Sequence, residues 1–251
     1  NYPIETIYET IEALKDLSPD FISVTYGAGG TSQDNTIEIA SKIKNTYGIE
    51  SIAHLTCVTS TRSGMIETLE KLRDSGIENI LALRGDIPQS LLEDKAWTPE
   101  YQYAYELIED IHRFDNFSIG GACYPEGHIE SRNKVEDLKN LKFKTQKGVD
   151  FLITQLFFDN ELFYQFREKM DLLGIKTPVL AGILPVLNLS QIKKIQELSG
   201  CNLPPKFLRI LNKYEHNPEA LQEAGIAYAV DQIIDLMSSG SVDGIHLYTM
   251  N

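Results

Sequence analysis

One pattern governs this chain: a short apolar run, a polar turn and an amphipathic helical stretch, repeated seven times. The apolar runs are Asp20–Gly27, Ser51–Val58, Asn79–Asp86, Phe117–Pro125, Phe151–Phe158, Pro178–Pro185 and Gly244–Met250. They are rich in β-branched and aromatic residues and bounded by Gly, Pro, Asp or Asn, which reads as strands. Most are apolar on both faces, as parallel strands covered by helices are. Between them, apolar residues recur at helical spacing, as in Ile7, Ile11 and Leu14, or Phe163, Phe166 and Met170. Asp34, Thr98, Asn160 and Asn188 are candidate N-caps.

Alternating β and α units predict a parallel α/β sheet. The even spacing favours a (β/α)8 TIM barrel over an open doubly wound sheet. The chain opens on a helix, about Tyr2–Leu17, so the first barrel strand is expected to precede Asn1. The rhythm changes only between Gly200 and Gly244, where two helices, about Pro205–Tyr214 and Pro218–Ser239, follow each other. No stretch reads as a linker, so residues 1–251 are expected to form one domain.

Charge narrows the function classes. The 251 residues carry 36 acids against 23 bases, a net charge of −13. Such a surface repels a phosphate backbone, which argues against nucleic-acid binding. No apolar run is long enough to span a bilayer. Three scattered cysteines, Cys57, Cys123 and Cys201, with no Cys-x-x-Cys, suit a reducing cytoplasmic setting and give no support to a zinc site.

In a barrel the active site gathers at the carboxyl ends of the strands. Those ends carry Thr25, Tyr26, His54, Thr56, Arg84, Asp86, Tyr124, Glu126, His128, Gln155, Asp159 and Tyr248. Each has a plain and a functional reading. The turn Gly27-Ala28-Gly29-Gly30 is a tight turn or a phosphate cradle. Arg84-Gly85-Asp86 is a bracing ion pair, or a glycine letting a planar ligand approach between two charges. His54 is a satisfied core histidine or a ligand contact, and His128 a turn residue or a loop contact. Asp137, Asn140 and Lys144 form one helical stripe: a solvated face, or an amide and lysine reaching a diphosphate or ribose. Gln155 bonds neighbouring backbone or reads a heterocyclic amide edge. Gln191 by default faces solvent.

Six segments together resemble the methylenetetrahydrofolate reductase family: Pro19–Gly30 (PDFISVTYGAGG), Ala53–Cys57 (AHLTC), Leu81–Pro88 (LALRGDIP), Tyr124–His128 (YPEGH), Phe151–Asp159 (FLITQLFFD) and Gly182–Pro185 (GILP). They occur in order over nearly the whole chain. The resemblance implies an FAD-bearing barrel of one-carbon metabolism, feeding methionine biosynthesis. In it a flavin takes hydride from NAD(P)H and passes it, by ping-pong exchange, to 5,10-methylenetetrahydrofolate, giving 5-methyltetrahydrofolate. Carried over by position, Tyr26, His54, Arg84, Gly85, Asp86, Ala104, Tyr124, His128, Asp137, Asn140 and Lys144 match flavin contacts. Thr25 lies at the flavin edge, where the family also places nicotinamide. Gln155 matches a glutamine reading pterin or nicotinamide, and Gln191 a folate contact. Catalytic roles fall to Asp86, Gln155 and Thr25, with no metal. Association into homo-oligomers is common in the family.

The chain also departs from the family. The Phe-Glu-Phe-Phe-Pro-like strand that carries the general acid is absent from it, and Glu5 sits on the wrong side of the first helix to replace that acid. The chain as given is therefore expected neither to close its barrel nor to complete folate reduction. It stops at Asn251, where some members carry an arginine contacting folate. Ile195 replaces a phenylalanine that often packs on pterin, and Phe143 an arginine of some members. These departures keep two rivals open: a flavin subunit reduced by an iron–sulfur partner, and a noncatalytic binding barrel.

Overall fold

The structure is a computed structural model describing residues 4–26, 33–94, 96–114 and 116–249. Its contacts divide the chain into two compact units. The first comprises residues 1–121 and 146–150, and the second residues 122–145 and 151–251.

The first unit runs α1 (Ile4–Lys15), β1 (Phe21–Val24), α2 (Gln33–Asn45), β2 (Glu50–Thr56), α3 (Arg62–Asp74), β3 (Asn79–Leu83), α4 (Gln89–Leu92) and α5 (Ala104–Ile111). It also holds most of β4 (Ser118–Cys123). The strands pair in chain order and in parallel, with Phe21 opposite Glu50, His54 opposite Leu81 and Asn79 opposite Ser118. The five central residues of β2 are all buried, as helix-covered faces require. Met65, Leu69 and Leu72 of α3 and Leu107, Ile108 and Ile111 of α5 join them in the core.

The second unit runs α6 (Lys134–Gln146, its last residue in the first unit), β5 (Phe151–Thr154), α7 (Asn160–Leu172), β6 (Val179–Ile183), α8 (Leu189–Ser199), α9 (Pro205–Tyr214), α10 (Pro218–Ser239) and β7 (Gly244–Leu247). Its strands are again parallel, with Leu152 opposite Val179 and Gly182 opposite His246. The paired helices α9 and α10 follow each other as expected, and they pack on the segment beyond β5. Phe207 stacks on Phe158 at 4.9 Å between ring centres, and the Tyr228 hydroxyl donates to the Phe158 carbonyl at 2.6 Å. A β-carbon on Gly225 would lie 1.8 Å from the Val186 carbonyl oxygen, so α10 rests directly on backbone.

Several expected boundaries are corrected. All seven strands end two or more residues before the apolar run does, and after β2, β5 and β6 burial continues past the ladder at Val58, Phe158 and Leu184. Phe157 and Phe158 are buried among helices, not in β5. The cap of α7 is Asp159, whose carboxylate accepts from the Glu161 amide at 3.1 Å, and Asn160 is the first helical residue. Helix α5 begins at Ala104, well beyond Thr98, and Asp34 falls inside α2. Asn188 caps α8 as expected.

Candidate functional site

In the first unit Thr25, Tyr26 and the Arg84–Asp86 turn sit just beyond strand ends, while His54 lies within β2 and Ala104 at the start of α5. Thr25 is exposed after β1, and its carbonyl accepts from the Thr36 hydroxyl at 3.2 Å. Tyr26 follows it, half-buried. The glycine turn at residues 27–30 lies outside the described residues. His54 is 8% exposed within β2. Beyond β3, the Arg84-Gly85-Asp86 turn is pinned by its neighbour strand. The Cys57 amide donates to the Leu83 and Arg84 carbonyls at 3.2 and 3.1 Å, and the Val58 amide to Arg84 at 2.8 Å.

Gly85 has φ +82°, the left-handed region that glycine favours. The Arg84 side chain folds back, its Nε donating to the Gly85 carbonyl at 3.1 Å, while Asp86 stands exposed. Ala104 opens α5, held by Glu106, whose carboxylate accepts from the Gln102 and Tyr103 amides at 2.6 and 2.8 Å.

In the second unit two clusters form. Tyr124 and His128 meet edge to face at 4.6 Å. His128 Nδ1 accepts from the Glu130 amide at 3.1 Å, which assigns the ring proton of the neutral tautomer to Nε2. Glu126 fastens this loop to the segment after α8, accepting from the Asn202 amide at 3.1 and 3.2 Å. Beside it opens a pocket of about 250 Å³ lined by Glu126, His128, Ser131, Lys134 and Asn202 among others.

The second cluster is on α6. Lys144 is half-buried and donates to the Ala122 carbonyl, while Asp137 accepts from the Ser131 hydroxyl at 2.9 Å. Burial pulls the Lys144 ammonium below its ordinary range, partly opposed by Cys123 and Asp137. Asn140 of the same stripe is exposed, as is Phe143.

Gln155 follows β5 and lines a small cleft with Tyr124, Glu126 and Cys201. Its Oε1 accepts from the Leu156 amide at 2.9 Å, so Nε2 is the group left to read a ligand. Gln191 lies at the third position of α8 and closes a capping box. Its Oε1 accepts from the Leu187 amide at 2.8 Å, while its own amide donates to Asn188. Ile195 is 3% exposed and belongs to the core cluster of α8, α9 and α10.

Burial pushes the Cys57 and Cys123 thiols up to about 12 and raises Cys201 too, so none is a ready thiolate. Among the described residues no cluster of His, Cys, Asp or Glu is arranged to hold a metal, and no helix is long and apolar enough to cross a membrane. A further buried polar residue, His246, is 7% exposed in β7. Its signal was the two-residue alternation of that strand, where it takes an inward position.

A parallel α/β chain whose polar side chains collect just past its strand ends is, as a class, built for binding and transforming a small molecule. The chain belongs to the methylenetetrahydrofolate reductase family, which it matches over residues 1–251. The 5,10-methylenetetrahydrofolate reductase of Pectobacterium carotovorum is 35% identical over 98% of this chain and 80% of that protein. The Escherichia coli protein of the same name is 34% identical over 98% and 81%. Methylenetetrahydrofolate reductase (NADH) 1 of Arabidopsis thaliana is 33% identical over 99% of this chain, but only 44% of that protein. Among solved structures, a Clostridium thermocellum protein that binds two copies of 5-methyl-5,6,7,8-tetrahydrofolic acid has a TM-score of 0.67. It is 15% identical over 97% of this chain and 81% of that one, a likeness of fold alone.

Proposed function

We propose that this chain carries the reduction of 5,10-methylenetetrahydrofolate to 5-methyltetrahydrofolate, with FAD as resident cofactor and NAD(P)H as donor, in a cytoplasmic (β/α)8-type barrel domain of residues 1–251. The observation that carries this reading is the family match over every residue of the chain.

The residues present fit a flavin dinucleotide. Gly85, with φ +82°, makes the tight strand-end turn that sets Arg84 and Asp86 on either side of it. Lys144 is a cation whose burial is relieved by an anionic partner, as a diphosphate is. When bound, FAD supplies reversible hydride transfer between nicotinamide and folate.

The chain's own residues supply position and charge. Lys144 would hold phosphate, and Asp137 and Asn140 ribose hydroxyls. His128 would donate from Nε2, beside Tyr124. Tyr26, His54, Arg84, Gly85 and Ala104 would complete the flavin contacts, and Asp86 would add a negative charge there that tunes hydride donation. Thr25 lies at the nicotinamide edge. Gln155 would donate from Nε2 to an acceptor on pterin or nicotinamide, and Gln191 would contact folate. Ile195, buried in the core, leaves the pterin-packing role to another side chain.

The test is an absorption spectrum of the purified protein. The protein should be yellow, NADH or NADPH should bleach it, and methylenetetrahydrofolate should restore the colour. Protein that takes up no FAD overturns the reading; flavin that free NAD(P)H does not reduce points to a partner protein as donor.

A further inference from the structure

The strand ends of the second unit are tied together through two hydroxyls, those of Tyr248 and Thr154. Tyr248 follows β7, and its phenol donates to the Thr154 carbonyl at 2.8 Å. The Thr154 hydroxyl oxygen accepts from the Gly182 amide at 2.9 Å, and the Tyr248 amide donates to the Ile183 carbonyl at 2.8 Å. The tyrosine ring reaches Thr154 by crossing β6 at Gly182. A β-carbon there would come within 2.5 Å of Tyr248 Cε2 and 2.4 Å of the Thr154 carbonyl oxygen. Residue 182 is thus a notch that admits the ring.

The carbonyl that Tyr248 grips belongs to the peptide unit joining Thr154 to Gln155. The other end of that unit, the Gln155 amide, donates to the Cys123 carbonyl at 2.7 Å. A peptide unit is planar, so fixing both ends fixes its orientation and the position of the Gln155 α-carbon from which the side chain leaves. The Gln155 carboxamide is turned by its bond to the Leu156 amide, which commits Nε2 to any ligand. Burial raises the Tyr248 phenol above its ordinary range, so it stays a protonated donor.

We propose that Tyr248 is a positioning residue for ligand recognition by Gln155, acting through the Thr154–Gln155 peptide, with Gly182 as the notch that makes this possible. This rests on Gln155 being a folate contact, as read above. Packing alone explains the ring, which lies against the α8–α10 core cluster. It does not explain the hydroxyl, which Y248F isolates.

The experiment measures 5-methyltetrahydrofolate affinity by calorimetry on the full-length flavoprotein, for the parent, Y248F, Q155A, the double variant and G182A. Thermal unfolding is followed alongside. Y248F should weaken binding about five- to tenfold, the scale of one lost hydrogen bond. In the Q155A background the same change should add less than about twofold, since residues acting as one unit are not additive. G182A keeps the hydroxyl but displaces the ring, and should weaken binding like Y248F. Unchanged affinity in Y248F, or a full additional loss in the double variant, overturns the proposal. Unchanged affinity in Q155A alone overturns the reading of Gln155, and this inference with it.

Discussion

Gly85 and Thr56 approach so closely that a β-carbon at residue 85 would stand 2.9 Å from the β-carbon of Thr56. That atom is fixed to the backbone of β2 and cannot rotate away. Gly85 also has φ +82°, which costs an L-residue about 1–2 kcal/mol. G85A should therefore lose on the order of 2 kcal/mol or more of unfolding free energy in urea titrations. T56S should not rescue it, because serine keeps the offending carbon. Flavin retention in G85A should fall together with stability.

Lys144 makes a prediction in which stability and binding move apart. Burial lowers its pKa in the folded chain below the ordinary 10.5, so between those two values the unfolded chain binds more protons. Stability of the flavin-free protein should then rise with pH through that window, and K144M should abolish the rise. The same variant should cost at least about tenfold in FAD affinity, measured by fluorescence titration, because a charge-assisted bond to phosphate is lost. Unchanged FAD affinity would return Lys144 to a structural role.

His246 sets the acid limb. Burial drives its pKa down from 6.5 to about 4. Below pH 6.5 the unfolded chain takes up a proton that the folded chain refuses until about pH 4. Stability should therefore fall as pH drops across that interval, by on the order of 3 kcal/mol in full. H246Q fills the site without titrating, and its stability should stay flatter between pH 6.5 and 4. A parent and variant with parallel pH–stability curves would remove His246 as the cause.

Legibility in the sequence followed the physics of each signal. The alternation of elements was plain because both periodicities are strong. Helix α10 announces its start, where Asn217 accepts from the Ala220 amide ahead of Pro218, and its end at Gly240 with φ +66°. Strand ends were not legible, since Phe157 and Phe158 are as apolar as β5 and differ only in what buries them. Asp159 and Asn160 are equally good capping residues by type, and only the extended backbone at Asp159 decides which of them caps α7. The stripe of Asp137, Asn140 and Lys144 was legible as a stripe, but not that Lys144 turns inward while Asn140 stays in water. Tyr248 looked like one more polar strand end. Its partner is a backbone carbonyl 94 positions away, which no local pattern encodes.

Gln191 carries two roles that one substitution separates. Its Oε1 caps α8 through the Leu187 amide at 2.8 Å and the Asn188 amide at 3.3 Å, leaving Nε2 as the donor that a folate contact needs. Glutamate serves a capping box as well as glutamine does and adds favourable charge at a helix start. It replaces the donor with an acceptor. Q191E should hold or slightly raise the melting temperature while weakening 5-methyltetrahydrofolate binding about tenfold, because a buried acceptor on the ligand loses its partner. Q191A should lose both, with about 1 kcal/mol of stability gone from the cap. Calorimetry and thermal unfolding on the two variants check this. A Q191E protein that binds folate like its parent would show that Gln191 serves the helix alone.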